Sequence, residues 1–315
     1  MTIDLVIRQT LQIALVVGAA PLLAGWIRQC RAWLANRVGA GLLQPYRELF
    51  KLLRKEPVVA CGASWVFIAT PYIAFATMAV AGAIVPMMTS RLPLAGAADV
   101  VALAGLFALA RIFAALAAMD LGTPFGSMGA RRTMLVGFLA EPALLMVLFT
   151  PALISGSTSL AIIVRQLARH GFILYPSMAF AAAAFVMVAL AENARLPVDN
   201  PETHLELTMI HEALNLEYSG PHLALIEWAA AMKLFVYIGI GVALFLPWGI
   251  AQGRGLATLP VACALFAMKL AVGGAGLALI ETLLAKLRLF RVPEFLGIAF
   301  LLAVLGLLVR YLVGH

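Results

Sequence analysis

Long apolar runs alternate with short polar stretches along nearly the whole chain, and the runs are the length that a bilayer requires. Eight of them, near residues 3–27, 64–88, 98–119, 133–154, 172–191, 223–246, 257–280 and 295–313, come close to the roughly 20 residues of a membrane-spanning helix. The pattern predicts an all-α polytopic membrane protein with one membrane domain over residues 1–315. The first run has no basic leader and no small-residue cleavage site, so it is expected to be a retained span.

Two polar stretches carry a pattern of their own. In residues 28–57, Gln44-Pro45 can open a short helix with Tyr46, Leu49, Phe50 and Leu53 on one side and Arg47, Lys51, Arg54 and Lys55 on the other. Such a helix is expected to lie in the headgroup plane. It can anchor to anionic lipid, or its cationic face can grip a soluble partner. The second stretch, residues 192–222, joins spans five and six. Asn200 and Pro201 can start a helix of about five turns that Gly220-Pro221 stops. Glu206 and Glu217 fall about 20° apart on one face of it, and His204 and His211 share another.

Composition sharpens the picture. Charged residues make up 12% of the chain and apolar ones 63%, against roughly 25% charged in soluble domains. The loops after spans one, three, five and seven hold 13 of the 22 Lys and Arg residues, and the opposite loops and ends hold 6. By the positive-inside rule both termini face outward and the connector faces the cytoplasm. Yet the connector holds Glu192, Asp199, Glu202, Glu206, Glu212 and Glu217, six of the chain's 15 acids. Crowded carboxylates at a low-dielectric boundary raise one another's pKa, which suits proton carriers; an acidic face that docks a partner is the plainer reading. The three cysteines form no CxxC pair and the histidines have no zinc spacing, so no metal is assigned to this chain.

The spans also contain ionisable residues, and their depths form a series. Glu227 lies roughly 6 Å in from the connector side, Arg111 and Glu141 roughly 12 Å, and Lys233 and Lys269 roughly 15–16 Å. Arg111 and Glu141 are expected to pair, which could simply clamp two helices together. The outer halves of spans two to seven hold no ionisable residue. Taken together the series describes a half-channel that opens to the cytoplasm and ends near the membrane centre, or else a set of separate structural pairs. In the half-channel reading, protons pass sideways to a neighbouring membrane protein. The Gly- and Pro-punctuated stretch 120–133, with Arg131 and Arg132, is expected to be a cytoplasmic loop.

Four segments, AENARLPVDNPETHLELTMIHEALNLEYSG, GLLQPYRELFKLLRK, DLGTPFGSMGARR and LAEPALL, resemble the membrane subunit 1 family of respiratory complex I. Within it the chain is most similar to the branch found in energy-converting [NiFe]-hydrogenases and formate hydrogenlyase. The resemblance implies a bacterial or archaeal cytoplasmic membrane, and a noncatalytic subunit that docks a soluble arm and begins a path for ion pumping. The implied partners are a [NiFe]-hydrogenase-like large subunit, a small iron-sulfur subunit and antiporter-like membrane subunits. The [NiFe] centre and Fe-S clusters would sit in those partners, with no cofactor in this chain and no nucleic acid involved. It also implies a proton path through Glu141, Glu192, Asp199, Glu202, Glu206, Glu212, Glu217 and Glu227, to which the depth series adds Arg111, Lys233 and Lys269. The partner interface would include Arg37, Tyr46, Arg47, Lys51, Arg54, Arg131, Arg132 and Arg195. Val198 stands where complex I relatives are expected to show a Phe-containing version, and a hydrogenase relative would need no quinone pocket. A quinone-chamber subunit and a stand-alone ion or solute carrier are the rival readings.

Overall fold

A computed structural model describes residues 3–60, 62–169, 176–199, 211–251, 258–285, 287 and 291–313. Among them the chain is helical without named strands. The elements are α1 (Ile3–Leu34), α2 (Gln44–Leu53), α3 (Trp65–Ile84), α4 (Val100–Asp120), α5 (Pro124–Ser155), α6 (Leu160–Arg169), α7 (Pro176–Glu192), α8 (Glu212–Asn215), α9 (Gly220–Phe245), α10 (Leu259–Leu283) and α11 (Val292–Val313). Seven of these helices are long and apolar enough to cross a membrane. The fifth expected span, residues 172–191, is described only from Pro176, as an apolar helix of 17 residues.

Several boundaries differ from the hydropathy pattern, each for a local reason. α1 runs two turns past its apolar stretch to Leu34, because Arg28 and Arg31 find carboxylates at Glu48 and Glu281. α3 stops at Ile84, ahead of Pro86, and residues 85–92 continue as irregular, buried backbone. Buried carbonyls at membrane depth need partners inside the protein. Here α1 supplies them: the Gln12 amide donates to Gly82 and Val85, each at 2.7 Å, and Gln9 donates to Ala83 at 2.9 Å. The stretch 120–133 is mostly helix and not a loop. Thr123 caps it by accepting from the Gly126 N–H, and Pro124 occupies the first turn. Arg131 and Arg132 therefore ride on the first turns of α5. The amphipathic helix α6, which the hydropathy pattern leaves inside a loop, buries Leu160, Ile163, Val164 and Leu167.

α2 forms where Gln44-Pro45 predicts it, but its buried face is shifted. Pro45 and Leu49 face inward, while Phe50 and Leu53 are 62% and 40% exposed. α1 and α9 receive the helix, and its approach requires Gly25, where a side chain would overlap the Leu42 carbonyl. The core follows from the same economy: small residues let helices close, as at Gly306, whose absent side chain leaves room for the Ser177 carbonyl on α7. Large apolar side chains point out along α10 and α11, among them Val261, Met268, Val272, Leu301 and Leu308.

Of the connector, residues 200–210 lie outside the described residues, and with them the predicted cap at Asn200, the first turns, His204, Glu202 and Glu206. The described remainder contains the single turn α8 and a clasp. Ser219 Oγ both donates to the Val58 carbonyl and accepts from the Val58 N–H, at 2.9 Å each. The Tyr218 ring stacks on Phe67 at 4.0 Å and its hydroxyl donates to the Phe67 carbonyl. Burial pushes that phenol well above its usual pKa. Gly220, at φ +52°, brings its backbone so close to Glu56 that a Cβ would sit 2.8 Å from the Glu56 oxygen. α2 and the connector are thus tied at one end of the bundle, called the connector end below. Because a left-handed conformation costs a non-glycine residue about 1–2 kcal/mol, Gly220→Ala is expected to destabilise the protein by at least that amount. Unfolding by denaturing detergent, compared with Ser219→Ala, measures it.

Candidate functional site

Four helices converge on a cluster of four charges. Arg111 comes from α4, Glu141 from α5, Glu192 from the last residue of α7 and Lys233 from α9. Arg111 Nη1 donates to Glu192 Oε1 at 2.5 Å, and Arg111 also pairs with Glu141. Lys233 Nζ donates to Glu192 twice, to Oε2 at 2.8 Å and to the main-chain carbonyl at 2.6 Å. Glu192 is the hub: its carboxylate is 4% exposed and carries a cation on each oxygen. Glu141 reaches the side of the bundle, with its side chain 36% exposed near the strongly exposed Phe138. Two cations and two carboxylates leave the cluster formally neutral. Burial of these groups is tolerable only because each is paired.

A cavity of about 430 Å³ leads to this cluster from the connector end. Arg28, Glu48, His211, Glu212 and Glu227 line its wider part, and Arg111, Glu192 and Lys233 its inner part. Glu212 and Glu227 are exposed, as is Glu217, which lies off the cavity lining. Asp199 is 2% exposed and accepts from the His211 N–H at 3.3 Å, with His211 Nδ1 3.8 Å from the same oxygen. A carboxylate series running from an aqueous mouth to a neutral, hydrogen-bonded cluster can take up and pass protons with little net charge buried. Among the described residues no three His, Cys, Asp or Glu side chains come together as a metal site.

The structure does not bring every expected residue together. Lys269 is buried, but Nζ donates to the Leu246 carbonyl at 2.6 Å and to that of Trp248, at the C-terminal end of α9. Free carbonyls and the helix dipole make that end a natural place for a cation, so Lys269 closes α9 and lies apart from the cluster. Arg195 is likewise turned inward. It pairs with the buried Glu281 at 3.2 Å, which Arg31 also approaches at 3.6 Å, and burial draws its pKa down while Glu281 opposes the shift. Tyr46 spends its hydroxyl on the Gly18 carbonyl of α1, which leaves it as an anchor for α2. Arg37, Arg47, Lys51, Arg54 and Arg131 remain exposed at the connector end, and Arg132 is half-buried.

Known proteins share this arrangement across nearly the whole chain. The family described as NADH dehydrogenase matches residues 8–311. The chain belongs to that family. Among its relatives, formate hydrogenlyase subunit 4 of Escherichia coli (strain K12) is 34% identical over 92% of this chain and 95% of its own. Hydrogenase-4 component C of the same organism is 33% identical over 96% and 95%. A membrane subunit of the NADH-quinone oxidoreductase of Solibacter usitatus is 28% identical over 74% of this chain and 62% of its own. In fold the chain matches one from the membrane-bound sulfane sulfur reductase, an archaeal respiratory membrane complex, with a TM-score of 0.83 at 19% identity, covering 97% and 99%. These matches agree with the resemblance read from the four sequence segments.

One residue of the site was not visible to sequence reasoning. Gly137 lies one turn before Glu141 on α5, and any side chain there would overlap the Arg111 guanidinium. A glycine four residues before a charged residue in a span was the available signal. Gly137→Ala is expected to displace Arg111 and cost about 1–3 kcal/mol. Glu192→Gln removes the shared partner of two cations and is expected to cost about 3–5 kcal/mol. The exposed Glu217→Gln should fall within about 0.5 kcal/mol of the unaltered protein. Detergent-denaturation midpoints of the three variants check the order.

Proposed function

We propose that this protein is the membrane-anchor and ion-coupling subunit of a hydrogenase-type redox complex. It docks a soluble [NiFe]-hydrogenase arm at the connector end and starts a proton path toward antiporter-like subunits. The observation that carries the coupling role is the paired cluster Arg111–Glu141–Glu192–Lys233 at the inner part of a cavity open to one end of the bundle. Near full-length similarity to formate hydrogenlyase and hydrogenase-4 subunits supports the type of complex. The positive-inside count supports a cytoplasmic connector end with both termini outside. The exposed Arg47, Lys51 and Arg54 of α2 and Arg131 of α5, beside the clasped connector, suit the docking of a soluble partner. In this reading Asp199, Glu202, Glu206, Glu212, Glu217 and Glu227 collect protons, and Lys269 and Arg195 are structural. The [NiFe] centre and Fe-S clusters belong to the partner subunits.

A second reading, a quinone-chamber subunit, is favoured by the cavity itself, whose lining includes apolar residues of α1, α3, α4 and α9, and by the NADH-quinone oxidoreductase relatives. Affinity purification in mild detergent with partner identification and metal analysis separates the two. Co-purifying nickel and iron with a hydrogenase-like large subunit are expected. A nickel-free complex whose turnover depends on added quinone would replace the first reading with the second. Within the purified complex in proteoliposomes, Glu141→Gln and Glu192→Gln are expected to retain electron transfer and lower proton translocation by about tenfold or more; unchanged translocation in both leaves an anchor alone.

A further inference from the structure

Tyr237 stands one helical turn beyond Lys233 on α9, and none of the interactions above uses its hydroxyl. The residue is 1% exposed, and its hydroxyl has no hydrogen-bond partner among the described residues. The ring is held between Phe107, with centroids 4.7 Å apart, and Phe185, at 6.2 Å. Lys233 Nζ lies 6.0 Å from its centroid. A phenylalanine would fill the same stack without stranding a polar atom, so the hydroxyl brings a desolvation penalty that nothing in the protein offsets.

Buried polar groups without a protein partner are where bound waters sit. The source of such water is close. The cavity from the connector end is lined by both Lys233 and Phe107, the two residues that flank the Tyr237 ring, while Tyr237 itself lies just past the lining. Side chains on a helix lean toward its N-terminus, which on α9 is the direction of Lys233 and Glu192.

Resting on the ion-coupling reading above, we propose that the Tyr237 hydroxyl binds a water shared with the Glu192–Lys233 pair and relays protons one turn farther from the connector end. A proton delivered through that water forms a new bond to the phenolic oxygen as the existing O–H bond breaks toward a second water. One proton enters and one leaves, the phenol stays neutral, and nothing is oxidised or reduced.

The test uses the whole complex in proteoliposomes. Tyr237→Phe keeps the aromatic stack and is expected to assemble, to retain its electron-transfer rate and to slow proton translocation by about tenfold or more. Unchanged translocation in Tyr237→Phe, while Glu192→Gln in the same assay loses it, overturns the tyrosine relay alone. If neither variant changes translocation, the ion-coupling reading fails and this inference with it. A structure of the assembled complex that resolves water gives a reading independent of activity. Water within hydrogen-bond distance of the Tyr237 oxygen is expected, and a hydroxyl paired to protein in a dry site overturns the proposal.

Discussion

Glu192 sets the terms for the rest of the bundle. A carboxylate buried at the inner end of α7 is unfavourable unless cations meet it, and two do, from helices that are distant in sequence. Arg111 brings α4 into register with α7, and Lys233 brings in α9. Arg111 in turn holds Glu141 on α5. Four helices are therefore positioned by one electrostatic requirement. In a lipid solvent this matters more than in water, because apolar helices gain little from preferring one another over acyl chains. The polar pairs choose the partners, and small residues such as Gly137 let the chosen pairs close.

The same requirement recurs wherever polar backbone lies inside the bundle. Gln9 and Gln12 satisfy the carbonyls released where α3 ends early, and Lys269 satisfies those at the end of α9. These contacts close the end of the bundle remote from the connector. At the connector end the design is the opposite: a cavity enters between α1, α2 and α9, and charged side chains are spread along it. One end is sealed by hydrogen-bonded structure and the other is open to polar traffic. That asymmetry is what a half-channel needs. It also explains why the clasp between Ser219, Gly220 and the loop after α2 matters, because it ties the exposed basic helix to the rim of the same cavity.

Membership of the NADH dehydrogenase family places this chain among membrane subunits of redox complexes, and the physical arrangement suits such a role. Nothing in the chain needs to carry electrons. What it offers is a docking face, a cavity and a chain of titratable groups that stops inside the membrane region, so the remaining steps fall to neighbouring subunits.

Much of this was legible in the amino-acid sequence because hydropathy is a local property. The spans, the helix at Gln44-Pro45, the acidic connector and the presence of charges at similar depths all follow from residues close together along the chain. The pairing of Arg111 with Glu141 could be anticipated, because adjacent spans at equal depth leave few alternatives. Depth alone could not tell that Lys233 turns toward Glu192 while Lys269, at nearly the same depth, turns toward the carbonyls of α9. Nor could it tell that Arg195 would be consumed by Glu281 or that Gly137 makes room for a guanidinium. Those outcomes depend on the rotation of each helix about its axis and on which helix lies beside it, and a hydropathy profile contains neither. The sequence by itself determined that charge would be buried in a membrane; only the packed bundle decided which charges meet, because pairing is set by distances between helices that the chain order does not encode.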